Sequence, residues 1–184
     1  MGESFSGFVP ALAPLRTMAW GLLLVVVDLR VQGLDLVPDP IGWAVLLVGT
    51  LRLAPLHRGF VVAAWASGVG LVASLPDWLG AQGTLLTWAF SIAETVLVFA
   101  TCTAVMVLAP GHRRGADAIR WWDLGLTVAS AVLVALAIQE PDLTVLAVLA
   151  GVAALVVLVC FLVLLFRASR ATPMGPGKTL QEIP

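Results

Sequence analysis

Charge is what this 184-residue sequence has least of. Asp, Glu, Lys and Arg make up 11% of the chain, while 60% is hydrophobic. A water-soluble domain carries about 25% charged and about 45–50% apolar residues. A chain this short buries only ~70% of the surface its unfolded form exposes. So much apolar surface cannot be hidden from water, which excludes a soluble enzyme and a disordered protein. The mean hydropathy of +1.04 points to a bilayer as the solvent. A basic surplus is missing too: ten Lys and Arg against eleven Asp and Glu give a formal charge of -1. That offers no electrostatic footprint for nucleic acid. Only two cysteines occur, Cys102 and Cys160, both inside apolar runs, so neither a disulfide scaffold nor a paired-thiol metal site is expected. Tyrosine is absent, yet there are seven Trp.

What is present is a series of continuous apolar runs. A helix crossing the ~30 Å hydrocarbon core needs ~20 mostly apolar residues whose backbone polar groups are satisfied within the segment. Six runs are candidates: Leu15–Gln32, Ile41–Leu56, Gly59–Leu75, Thr84–Ala109, Ile119–Ile138 and Leu143–Phe166. The second is the shortest, and Pro55 closes it. A membrane barrel would need strict alternation, which these runs lack. The first run has a basic residue before it, Arg16, but no small-x-small cleavage pattern after it, so it reads as an uncleaved helix.

Lys and Arg near the run ends set the orientation. With the N-terminus inside, Arg16, Arg52, Arg58, Arg113, Arg114, Arg120, Arg167, Arg170 and Lys178 fall on the cytoplasmic side, and only Arg30 falls outside. This bias requires an even number of crossings. Trp favours the headgroup layer. Trp20, Trp121 and Trp122 fall near inner ends, Trp43, Trp78 and Trp88 near outer ends, and Trp65 deeper. The expected architecture is an all-α polytopic membrane bundle of six transmembrane helices with both termini cytoplasmic, in a plasma membrane. Residues 1–14 form a lead-in, residues 15–166 the helical domain, and residues 167–184 a disordered tail.

Small residues predict where helices approach closely. They are Gly42 and Gly49 in the second run, Ala63, Ser67, Gly70 and Ser74 in the third, and Ala147 and Gly151 in the sixth. The same Gly/Ala faces would equally serve a protein partner or a homo-oligomer. The fourth run carries a polar stripe, because Thr84, Thr87, Ser91, Glu94, Thr95, Thr101 and Cys102 fall within about half a helical circumference. Glu94 lies near mid-membrane, where an ionised carboxylate costs at least ~2.5–3.5 kcal/mol. It reads either as a proton or cation carrier or as a neutral acid bonded to a neighbouring hydroxyl.

The first outer hairpin holds the other candidates. Asp28 and Arg30 are expected below the surface, two residues apart on one helix and so unable to pair with each other. Asp35, Asp39 or Glu94 would then partner Arg30. Asp39 before Pro40 also suits a helix start, and Gly33 would end the first helix. Together Glu94, Asp28, Arg30, Asp35 and Asp39 make a candidate polar pathway. The run Gly33-x-Asp35-x-x-Pro38-Asp39-x-x-Gly42-Trp43 resembles a motif of uncharacterised small multi-span bacterial membrane proteins, often with Tyr in place of the Trp. The resemblance covers about a dozen residues and implies a bacterial plasma-membrane setting.

Asp35-x-x-x-Asp39 also resembles half of the metal motif of the CDP-alcohol phosphotransferases, but the upstream Asp-x-x-Asp-Gly block is missing. No catalytic constellation, cofactor motif or metal-ligand pair is expected, and so no enzyme. Two functional readings remain: a small proton- or cation-linked transporter or channel-like protein, or a non-catalytic partner or scaffold subunit of a membrane complex.

Overall fold

The structure is a computed structural model that describes residues 12–26, 30–31, 34–35, 39–78, 83–137, 140 and 143–171. Six α-helices follow one another: α1 (Pro14–Val26), α2 (Asp39–Leu53), α3 (Arg58–Trp78), α4 (Thr84–Leu108), α5 (Arg113–Ala137) and α6 (Thr144–Ala168). A two-residue ladder, β1 (Arg30–Val31) against β2 (Leu34–Asp35), lies between α1 and α2, and a 3-10 turn (Pro110–His112) joins α4 to α5. The protein is all-α apart from that ladder. Its lead-in residues 1–11, Asp28, Gly33, Pro38 and tail residues 172–184 lie outside the described residues.

Four helical stretches are long and apolar enough to cross a membrane: 58–76, 84–108, 110–137 and 144–168. Six helices are present as expected, and among the described residues α1 and α2 are shorter than these four. With 13 and 15 residues and a rise of 1.5 Å each, they extend only about 20 and 22 Å, short of a ~30 Å core. The first run was expected to stay helical to Gln32, but α1 is followed by strand β1 at Arg30. Val25 and Val26 weaken the helix end, since β-branched side chains lose χ1 freedom there. Two residues, Gln32 and Gly33, separate Val31 from Leu34, the spacing of a tight hairpin that favours Gly. The consequence is a register in which Arg30 stands opposite Asp35. Arg30 is therefore a strand residue and not a helix residue. The α2 start at Asp39–Pro40 is where the sequence predicts it, because proline at a first turn has no N–H to lose.

Each helix packs against the next, and α6 returns to α1. Trp20 of α1 meets Phe166 of α6 edge to face, with ring centroids 5.8 Å apart. Between α1 and α2 the contact is backbone on backbone. A methyl added at Gly21 would lie 2.7 Å from the Leu46 nitrogen and 2.9 Å from the Gly42 oxygen. Gly70 of α3 leaves room for the Trp43 ring, which would be 2.5 Å from a methyl there. Trp43 is thus a core side chain, 1% exposed and stacked edge to face on Phe90, rather than an outer headgroup anchor. Gly151 of α6 has nothing within 4 Å of where a methyl would go. The sixth helix's small face, unlike the others, does not pack.

The core of α4, α5 and α6 sits at one end, while α2 and α3 are buried along their length, from Trp43 to Leu53 and from Phe60 to Ser74. Leu15, Met18 and Leu22 open α1, Leu53 closes α2, Phe60 and Ala63 open α3, Cys102 to Val105 close α4, and Phe161 to Ala168 close α6. Leu12 is buried there too, so the lead-in joins the core before α1 begins. At the opposite end, α5 beyond Asp123 and α6 before Phe161 bury no residue. The bundle is closed where α1, α3 and α5 start and open where they finish.

Gly21→Ala should therefore destabilise the purified protein by about 1–3 kcal/mol, the range for overpacking a tight contact. Gly151→Ala should be neutral or stabilising by up to about 1 kcal/mol, the helix preference for Ala over Gly. Unfolding midpoints of the two variants check this, and equal shifts would contradict the packing described.

Candidate functional site

The open end forms a cavity of about 730 Å³ between α4, α5 and α6. Along α4 it is lined by Thr84, Thr87, Trp88, Ser91 and Glu94, the upper part of the predicted polar stripe. Thr84 to Glu94 is ten residues, or ~15 Å along the helix. Opposite stand Thr127, Ser130 and Val134 of α5, and Ala154 of α6 adds an apolar wall. The 3.6-residue period brings every third or fourth residue of α4 to this side.

Below the cavity the stripe becomes a seam between α4 and α5. Thr95 and Thr127 share a hydrogen bond of 3.0 Å. Deeper, the Arg120 guanidinium approaches the Thr103 hydroxyl at 3.5 Å and pairs with Asp117 at 2.6 Å. It also lies over the rings of Phe99 and Trp121, 5.3 and 5.5 Å from their centroids. Cation–π contact and an ion pair together fix this cation. Asp123, 9% exposed, lies one turn above Arg120 on α5 and one turn below Thr127. Its Oδ2 has no hydrogen-bond partner among the described residues, and neither do Ser130 Oγ and Thr101 Oγ1. Asp123 and Glu94 are within electrostatic reach of each other.

Glu94 is half-buried and makes no hydrogen bond or ion pair among the described residues. Of the other sequence candidates, Asp28 is outside the described residues. Arg30 and Asp35 are described only as backbone, paired across the ladder. Asp39 is half-buried at the α2 start and does not line the cavity. What joins Glu94 is instead a set of α5 residues: Asp123, Thr127 and Ser130, with Arg120 below. Their spacing of three, four and three residues is the same helical signal as the stripe on α4. Arg120, counted in the sequence as an orientation charge, obscured it. His57 accepts the Gly59 N–H at 2.9 Å through Nδ1 and so caps the start of α3.

Among the described residues no three His, Cys, Asp or Glu side chains converge to hold a metal ion. Cys102 is buried and Cys160 exposed, and both are free thiols. The chain matches no protein-family model, no curated protein and no solved structure. The site must be read from its own chemistry: a carboxylate at the floor of a mostly apolar cavity, a second buried carboxylate beneath, and hydroxyls between.

A double-mutant cycle on Thr95→Val and Thr127→Val should return a coupling of about 0.6 kcal/mol and no more than about 1.7, the range for hydrogen bonds between membrane helices. Strictly additive effects on the unfolding midpoint would mean that the two hydroxyls do not hold α4 to α5.

Proposed function

We propose that this is an integral membrane protein of the bacterial plasma membrane, a small proton- or cation-linked transporter or channel-like protein, with both termini cytoplasmic. The single observation that carries the reading is Glu94 at the floor of the cavity, facing α5, where Asp123 is buried one turn below the cavity-lining Thr127. Like charges in a low-dielectric setting repel strongly, so two neighbouring carboxylates favour taking up a proton or a monovalent cation. Thr95 and Thr127 lie between the cavity floor and Asp123, and hydroxyls can both donate and accept. Intramembrane acids facing a cavity mark ion pathways by default. The Arg120–Asp117 pair beneath would close the inner end, where the bundle is tightest.

In this reading α1, α2 and their hairpin do not each span the bilayer as independent helices; they brace α3 and α6 at the closed end. The basic residues of the closed end, Arg16, Arg52, Arg58, Arg113, Arg114 and Arg167, would face the cytoplasm. A partner-subunit role is favoured by one observation, the unpacked Ala147–Gly151 face of α6. A second copy or another membrane helix would fit there.

Purified protein in liposomes with a trapped pH indicator tests the transport reading. An imposed gradient should drive proton or alkali-cation flux in the wild type, and Glu94→Gln should reduce it to the protein-free rate while the protein still folds. Flux unchanged in Glu94→Gln, or none in the wild type, would remove this function. In a background lacking Cys102 and Cys160, Ser91→Cys and Ser130→Cys should react with a membrane-impermeant thiol reagent from the outside only.

A further inference from the structure

We propose that the cavity above Glu94 binds a lipophilic organic cation: a single positive charge carried on an apolar, ring-bearing body. The inference rests on the transport reading of the same cavity and names its cargo.

The sign of the charge follows from the lining. Glu94 is the one ionisable side chain among the described residues that line the cavity, and no basic residue among them accompanies it. Arg120, on the same side of α5 lower down, is already engaged by Asp117 at 2.6 Å and by two aromatic rings. An anionic ligand would meet a carboxylate with no compensating donor, whereas a cation would supply the partner that Glu94 lacks.

The apolar body follows from the walls. A volume of about 730 Å³ lies within the ~300–1,000 Å³ of small-molecule sites. A dehydrated metal ion would need several oxygen ligands at short range, and among the described residues no such group of acids exists. A polyol would need many free hydrogen-bonding partners. Here Thr87 turns its hydroxyl to the Gly83 carbonyl at 3.4 Å, and Thr95 and Thr127 are bonded to each other. Ser130 Oγ, buried and unpartnered, remains as a polar contact on the wall.

Trp88 supplies the second recognition element. It lines the cavity six residues above Glu94, ~9 Å along the helix, and its ring is 43% exposed. Charge at the floor and rings against Trp88, Ala131 and Val134 would satisfy both ends of one amphipathic molecule. A cation that rides up to the Trp88 face would still be attracted there by the ring quadrupole.

Tetraphenylphosphonium is the probe, with tetraphenylborate as a ligand of the same shape and opposite charge. Binding to the full chain in nanodiscs is measured by equilibrium dialysis. The phosphonium should bind saturably and the borate should not compete. Glu94→Gln should weaken the phosphonium by about tenfold or more, as expected when one partner of a desolvated charge pair is removed. Glu94→Asp should restore part of the affinity, and Ala131→Phe, which fills the cavity, should abolish it with the melting temperature preserved. Equal binding of both ions, or undiminished phosphonium binding by folded Glu94→Gln, would overturn the proposal. Glu94-dependent proton flux without phosphonium binding would also overturn it and leave the transport reading standing. Glu94-dependent phosphonium binding without any flux would uphold the site and remove transport.

Discussion

For a helix surrounded by hydrocarbon, neighbouring lipid is as apolar as a neighbouring leucine, so burial of apolar area does not choose its partners. The choice falls to residues that let backbones touch and to polar groups that must find one another. Contacts of both kinds join neighbouring helices of this protein. Gly21 and Gly42 bring α1 and α2 together, and Gly70 admits the Trp43 ring between α2 and α3. Thr95 with Thr127 and Thr103 with Arg120 join α4 to α5. Leucine and valine fill what these contacts leave.

The two kinds of contact are unevenly distributed, and the site is a result of that distribution. Glycine and alanine contacts concentrate in the first three helices and around the closed end. The α4–α5 join is polar, and between α5 and α6 Ala131, Ala135, Ala137, Ala147 and Ala154 line open cavities rather than a close contact. Helices that meet at one end and lack a close-packing face at the other diverge. The resulting wedge is where Glu94 stands, on α4, which belongs to both the tight core and the open cavity.

Arg120 shows how a charge can be retained on an otherwise apolar helix. Removing a guanidinium from water is costly unless its donors and its charge are both matched. Asp117 supplies the countercharge one turn away, while Phe99 and Trp121 supply the faces of two rings that themselves meet edge to face at 5.6 Å. Among the described residues both groups keep one unmatched atom, Arg120 Nε and Asp123 Oδ2, but Asp123 makes no ion pair. The contrast separates a group held in one place from a group still able to take a ligand or a proton, and it places the second kind nearer the cavity.

Composition and run length alone pointed to an all-α chain, because continuous apolar runs of that length satisfy their backbone groups in only one regular way; α3, α4 and α6 fall close to their expected limits, while α5 starts six residues before its apolar run, at Arg113. The polar stripe of α4 and the close-packing roles of Gly42, Gly49 and Gly70 were legible for the same reason: a helix has a fixed period, and residues on one side can be counted. The shortness of α1 and the Arg30–Asp35 register were not, since a strand pair depends on which segment returns alongside it. Nor could the sequence say that Asp123, Thr127 and Ser130 would join Glu94 while Trp43 withdrew into the core. Period fixes which residues share a face, but which face meets which neighbour is decided only when all six helices compete for contact.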